Sequence, residues 1–138
     1  MKKILVAMDG SEQSFKALAE AGKLAKAMKA EITAISVVHD VVVYGGYESV
    51  YFDNESLRKA SEEVLRRTKE MMEKEGFAIK TILGKGNAAE VINETAESGD
   101  FDLVVMGSRG LGGVSRLLLG SVSGRVANTS KVSVLIVK

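Results

Sequence analysis

The chain has 138 residues, a length that fits a single domain over 1–138, and its charge is nearly balanced, with 19 Lys and Arg against 18 Asp and Glu. This balance gives no electrostatic reason to expect a nucleic acid or an anionic membrane as partner. The absence of cysteine excludes disulfides and thiol catalysis, and the single histidine, His39, excludes a multi-histidine metal site. No apolar run is long enough for a signal peptide or a membrane span, so we expect a cytoplasmic protein.

Short apolar runs alternate with helical patterns from the start of the chain. The run from Ile4 to Met8 predicts a buried strand, and Ser11 is placed to cap the amphipathic helix that follows. Residues 32–38 predict a second strand. The stretch 40–52 has no clear period, and we interpret it as a long, partly ordered loop. A strongly patterned helix then runs to Gly76, which favours its end.

The second half of the chain continues the alternation. It predicts a third strand, a third helix that begins with a capping box, a fourth strand, a short helix and a fifth strand, at residues 77–83, 87–98, 101–106, 121–128 and 132–137. Such alternation implies parallel strands joined by right-handed crossovers. We therefore predict an α/β, Rossmann-like fold: one doubly wound, five-stranded parallel sheet of order 3-2-1-4-5 with four helices.

The predicted sheet order places a ligand site between the first and fourth strands. In doubly wound sheets, ligands bind beyond the carboxyl ends of the strands where the strand order reverses. Asp9 and Gly107 lie at those ends. Asp9 has two interpretations at this point, as a nucleotide contact or as part of a helix cap before Ser11.

The segment from Gly107 to Ser123 is rich in glycine and lies between the fourth strand and the short helix. Glycines leave backbone N–H groups uncovered, and consecutive N–H groups or a helix N-terminus bind phosphate. Arg109 and Arg116 are available as countercharges. The segment predicts a phosphate site, although a flexible connecting loop is the alternative.

Other phosphate-binding motifs fit less well. No Gly-x-x-x-x-Gly-Lys-Ser/Thr motif is present. Gly84-x-Gly86-x-x-Ala89 has the dinucleotide pattern, but it follows the third strand, and the nearest suitable acid, Asp102, begins its strand and should point to the opposite edge. Leu83 stands where a receiver domain would need an acceptor aspartate. We interpret Gly84 and Gly86 as a tight turn near the nucleotide or a simple connection.

The opening run 4–11, the turn at 84–86 and the spacing of Gly107, Gly110, Gly120 and Ser121 together resemble the universal stress protein family, in its ATP-binding branch. The spacing Gly-x-x-Gly, nine residues, Gly-Ser/Thr is the specific part of this resemblance. It implies that Asp9 lies near the ribose or a metal ion. It further implies three groups of binding residues: Ala7, Val37 and Met106 at the adenine; Gly107, Arg109, Gly110, Gly112 and Gly113 around the ribose and phosphates; and Gly120, Ser121, Val122 and Ser123 at the phosphates.

The resemblance also implies a function, a cofactor and a partner. The expected function is an ATP-binding regulatory protein in stress response that binds ATP or AMP with Mg, through metal ligands the sequence leaves unknown, and dimerises through its last strand. The alternatives are a slow ATPase, an enzyme that phosphorylates itself on Ser121 or Ser123, and an interaction module whose loop is structural. His39 has no identifiable catalytic partner, and we interpret it as a half-buried residue at a strand end.

Overall fold

The computed structural model describes residues 1–39, 55–109 and 119–138, together with the backbone of 42–45 and 48–51. The predictions for Gly110, Gly112, Gly113 and Arg116 lie outside the described residues. Within these ranges the secondary structure, numbered in chain order, consists of β1 (Lys3–Ala7), α1 (Glu12–Met28), β2 (Glu31–Val38), β3 (Val42–Gly45), β4 (Glu48–Tyr51), α2 (Glu55–Lys74), β5 (Ile79–Lys85), α3 (Ala88–Ser98), β6 (Leu103–Gly107), α4 (Ser121–Thr129) and β7 (Ser133–Val137).

Five parallel strands form the main sheet, in the order β5-β2-β1-β6-β7. In chain order within this sheet the strands read 3-2-1-4-5, so the predicted fold is confirmed. β1 pairs with β2 on one side and with β6 on the other. The strand order therefore reverses between β1 and β6, and in doubly wound sheets ligands bind beyond the carboxyl ends of the strands at such a reversal.

Two apolar clusters cover the two faces of the sheet. Side chains that alternate along β1 separate them, since Ile4 and Val6 belong to one cluster and Leu5 to the other. The first cluster includes α1 and α2 through residues such as Leu18 and Leu65. The second packs α3 and α4 on the opposite face. Both faces of the central strands β1, β2 and β6 are thus largely buried, which explains why these strands appear as nearly continuous apolar runs.

Local signals fix the ends of the helices. The Ser11 hydroxyl accepts a hydrogen bond from the Ser14 amide at 3.1 Å, and the Asn87 side chain accepts one from the Glu90 amide at 3.2 Å. Both residues are therefore the N-caps that the sequence predicts. Gly76 follows α2 with φ of +89°, a conformation that glycine adopts without strain.

The segment after β2 differs from its prediction. It was expected to be a partly ordered loop, but β3 and β4 form an antiparallel pair in which Val42 lies opposite Tyr51 and Gly45 opposite Glu48. Valine and tyrosine favour extended backbone, and this propensity decides the structure although the segment lacks a clear alternation. These two strands form a two-stranded sheet that is separate from the main sheet.

Asp102 lies at the amino edge of the sheet, where its carboxylate accepts hydrogen bonds from the amides of Lys2 at 2.7 Å and Lys3 at 2.9 Å. These two bonds hold the pKa of Asp102 below its ordinary value. The position confirms that Asp102 points away from the carboxyl edge. Across the described ranges, no helix has the length and apolar content that crossing a membrane requires.

Candidate functional site

A cavity of about 640 Å³ opens at the carboxyl edge of the sheet. The ends of β1, β2 and β6 form its floor, and the starts of α3 and α4 and the first half of α2 form its walls. All the predicted binding residues that the structure describes line this cavity, namely Ala7, Asp9, Val37, Met106, Gly107, Arg109, Gly120, Ser121, Val122 and Ser123. The volume lies within the range of roughly 300–1,000 Å³ that is usual for small-molecule sites.

One part of the cavity is apolar. Its walls are aliphatic side chains from three strand ends and from α3, namely Ala7, Ile35, Val37, Ala88, Ile92 and Met106. These residues belong to, or pack against, the cluster on the α3–α4 face of the sheet, except for Ala88, which opens α3. These aliphatic side chains form an apolar slot between the strand ends and the start of α3. Such a slot accepts a flat apolar group, such as a nucleobase.

The N-terminus of α4 forms a different part of the wall. Its N-cap is Gly120, which offers no side chain to the free amides, and its first turn carries no acidic residue. The other three helices each begin with an acidic residue in the first turn, at Glu12, Glu55 and Glu90. The amides of 121–123 therefore remain available to an anion, and the helix dipole favours one. Arg109, half-buried on the same cavity wall, adds a positive charge.

A single backbone carbonyl joins the two ends of the glycine-rich segment. The Ser108 carbonyl accepts hydrogen bonds from the Gly120 amide at 2.7 Å and from the Ser123 hydroxyl at 2.8 Å. Ser123 is 3% exposed, and its hydroxyl also approaches the Gly120 carbonyl at 3.2 Å. The Ser123 hydroxyl therefore donates to backbone carbonyls of the protein itself, whereas Ser121 is exposed and lines the cavity. Sequence reasoning missed Ser108 because its backbone carbonyl, not its side chain, accepts these hydrogen bonds.

Asp9 fits both of its interpretations. Its Oδ1 atom accepts hydrogen bonds from the Ser11 amide at 2.9 Å and from the Ser11 hydroxyl, so it orients the residue that caps α1. Asp9 is also exposed and lines the cavity. Among the described residues it is the only carboxylate in the cavity wall, and none of these residues form a cluster of three or more metal ligands. One carboxylate suits Mg²⁺, which takes most of its other ligands from phosphates and water.

Two glycines of the site allow close packing. A Cβ atom on Gly107 would lie 2.7 Å from the Gln13 Cβ and 2.9 Å from the Gln13 carbonyl carbon, and one on Gly120 would lie 3.3 Å from the Ser108 carbonyl oxygen. The first two distances are shorter than van der Waals contact. The start of α1 and the end of β6 can approach this closely only because position 107 has no side chain.

Sequence reasoning missed the wall that α2 contributes. Leu57, Ala60, Ser61 and Val64 line the cavity, and so does Ser36 of β2. Helical periodicity identified the apolar side of α2 but gave no signal that part of this side faces a cavity rather than the sheet. The prediction for His39 was wrong, because this residue is exposed rather than half-buried. It directly follows the last residue of β2 and lines the cavity.

The chain is a doubly wound α/β protein with a cavity at the point where its strand order reverses. The family model described as "Universal stress protein family" matches residues 1–138, and the chain belongs to this family. A universal stress protein of Methanocaldococcus jannaschii is 39% identical over 99% of this chain and 82% of its own length. Universal stress protein YxiE of Bacillus subtilis is 37% identical, over 99% of this chain and 98% of its own.

Solved structures of the family share the fold. A universal stress protein crystallised in complex with cAMP superposes with a TM-score of 0.75 at 26% identity, over 99% of this chain and 97% of that protein. This structural similarity agrees with the family assignment made from the sequence.

Proposed function

We propose that this universal stress protein is a regulatory nucleotide-binding module of the ATP-binding branch, and that ATP or AMP occupies the cavity at the carboxyl edge of the sheet. The observation that carries the proposal is the convergence of ten predicted binding residues, from three strands, two loops and α4, on that one cavity. The cAMP bound by the related protein at 26% identity supports an adenine nucleotide as the class of ligand.

The proposed ligand divides between the two parts of the cavity. The adenine occupies the apolar slot beside Val37 and Met106, where the methionine sulfur also favours an aromatic ring. The phosphates lie at the N-terminus of α4, where the free amides and Arg109 compensate their charge. Asp9 is placed to hold the ribose or, together with the phosphates, an Mg²⁺ ion. Bound Mg²⁺ would neutralise part of the triphosphate charge.

A regulatory role agrees better with these residues than fast catalysis does. The described wall offers one carboxylate, and Ser11 already engages one of its oxygens. No second carboxylate among the described wall residues is placed to hold a second metal ion or to act as a base. We therefore expect phosphate release far slower than the roughly 1 per second that marks an ordinary enzyme. Turnover at that rate would replace the regulatory proposal with that of an ATPase.

The proposal is tested by thermal unfolding of nucleotide-stripped protein with Mg-ATP, AMP, adenosine, GTP or NAD. A ligand at 100 times its dissociation constant stabilises the folded state by about 2.7 kcal/mol. With an unfolding entropy of roughly 2.1 cal/mol/K per residue, this raises the midpoint of a 138-residue chain by about 9 °C. We expect that shift with ATP or AMP and not with GTP or NAD. No shift with any nucleotide, from a folded sample, would favour an interaction module with a structural loop.

A matched pair of substitutions at Ser121 tests where the phosphates lie. Ser121→Asp adds a negative charge to the first turn of α4, which stabilises the helix by about 0.3–1 kcal/mol but repels a triphosphate. Ser121→Ala removes the hydroxyl without adding charge. We expect Ser121→Asp to weaken ATP at least tenfold and adenosine hardly at all, and Ser121→Ala to leave both within about threefold. Equal loss of ATP and adenosine would place the phosphates elsewhere.

The proposal includes a homodimer formed through β7. This strand is at an edge of the sheet, and four of its five residues, Val134 to Val137, are half-buried and apolar. A bare edge of this kind is rarely left open in water, because it pairs readily with another strand. A second copy that pairs with it would cover the edge.

A further inference from the structure

We infer that Gly84 is a positioning residue that sets the shape of the base slot, and this inference rests on the proposed function. The sequence offered two roles for Gly84, a turn near the nucleotide or a simple connection. In the structure Gly84 lies inside β5, paired with Val37 of β2. Neither role requires a glycine at such a position, so its missing side chain needs another explanation.

Backbone conformation does not demand a glycine at 84. Among the described glycines, those with positive φ are Gly10, Gly76 and Gly86, so the backbone at Gly84 suits any residue. The pressure on this position is steric. A Cβ atom built there would lie 2.7 Å from Val91 Cγ1, 3.4 Å from Val37 Cγ2 and 3.7 Å from Ile35 Cδ1. The space that a side chain at 84 would need is therefore occupied by Val91 of α3.

The side chains around Gly84 either line the cavity or lie beside residues that do. Ile35 and Val37 line the cavity directly. Val91 does not, but it lies on α3 between Ala88 and Ile92, which do. A valine in a helix is nearly restricted to one rotamer, so Val91 cannot rotate away from an added methyl group. The helix as a whole must then retreat from β5, and it takes Ala88 and Ile92 with it.

The distance between α3 and β5 therefore controls the width of the slot that receives the base. With glycine at 84, Val91 seats against the strand and holds the start of α3 close to Val37. With alanine, the contact at 2.7 Å has to open by about 1 Å to reach ordinary packing distance. A flat ring held between the sheet edge and α3 loses contact on one side when the slot widens.

The experiment measures adenosine and ATP affinity by calorimetry in four full-length proteins: the unsubstituted chain, Gly84→Ala, Val91→Ala and the double variant. We expect Gly84→Ala to weaken adenosine and ATP by the same factor of about ten, equivalent to 1.4 kcal/mol, because the base is common to both. Val91→Ala makes room for the new methyl group. The double variant should therefore recover affinity to within about threefold of the unsubstituted protein.

The matched control is Gly22→Ala, the same chemical change inside α1 and outside the cavity wall. A Cβ there meets Met72 and Phe77 side chains at 3.6–3.8 Å, which is ordinary contact, so affinity should not change. Equal affinity of Gly84→Ala and the unsubstituted protein, or a loss that Val91→Ala does not rescue, would overturn the inference alone. A folded unsubstituted protein that binds no adenine nucleotide would overturn the proposed function together with the inference.

Discussion

Gly107 allows packing and ligand binding to be separated by experiment. Family resemblance places it against the nucleotide, whereas the structure gives it an independent role between β6 and α1. A Cβ at 107 would lie 2.7, 2.9 and 3.0 Å from three atoms of Gln13, two of which belong to the backbone. A methyl group in that space forces the first turn of α1 away from the end of β6. The packing role therefore predicts an effect in the absence of any ligand.

The expected cost of Gly107→Ala follows from overpacking, which typically destabilises by about 1–3 kcal/mol. Contact with backbone places this position in the middle of that range or above, since no side-chain rotation relieves it. At about 2 kcal/mol, and with roughly 2.1 cal/mol/K of unfolding entropy per residue, the midpoint falls by about 7 °C. Gly22→Ala is the control, and it should raise stability by about 0.5–1 kcal/mol because alanine favours a helix.

Thermal or urea unfolding of nucleotide-stripped protein measures both variants. The two glycine substitutions should move the midpoint in opposite directions. Gln13→Ala should not rescue Gly107→Ala, because the alanine keeps the Cβ and the backbone atoms that make the close contacts. An unchanged midpoint in the ligand-free Gly107→Ala protein, or its recovery by Gln13→Ala, would refute the packing argument and leave the nucleotide as the reason for glycine.

Three further predictions concern other parts of the molecule. Ser123→Ala removes one hydrogen bond to the Ser108 carbonyl, which keeps its bond from the Gly120 amide. The free energy of unfolding should therefore fall by about 1 kcal/mol with little change in ATP affinity. A large loss of affinity at unchanged stability would contradict this expectation. The pKa of Asp102 is lowered in the folded state, so its charge stabilises the fold above about pH 4, and this contribution is lost as the pH falls through the folded-state pKa. The stability of the unsubstituted protein relative to Asp102→Asn should therefore shrink on acid titration. Parallel curves of stability against pH for the two proteins would disprove it. Sedimentation of the full chain should give a dimer that Val134→Lys in β7 shifts toward monomer, and a monomer at all concentrations would exclude that interface.

The fold could be predicted because the three central strands, β1, β2 and β6, are mostly buried and so appear as short apolar runs that alternate with helical patterns. Right-handed crossovers then limit the possible strand orders. Boundaries were less certain: Phe77 and Phe101 were assigned to strands that begin two residues later, at Ile79 and Leu103. In both cases an aromatic residue of the preceding connection packs against the core and resembles the strand in composition.

The site was predictable where it depends on local sequence and not where it depends on the approach of distant elements. The resemblance carried by the glycine spacing implied the residues at the N-terminus of α4 together with Ala7 and Val37, and all of these line the cavity. Nothing in the pattern around Gly84 or Val91 indicates that they touch, because their contact depends on how closely α3 packs on β5. The wall from α2 was missed for the same reason.

The two hydrogen bonds at the Ser108 carbonyl have a consequence for how the length of the glycine-rich segment can vary. Ser108 and Gly120, which lie on either side of residues 109–119, are joined by one hydrogen bond, and Ser123 donates a second bond to the same carbonyl. Closing a longer chain costs little, since each doubling of loop length adds only about 0.6 kcal/mol. A change in the number of residues between these two ends therefore costs the sheet and α4 little free energy.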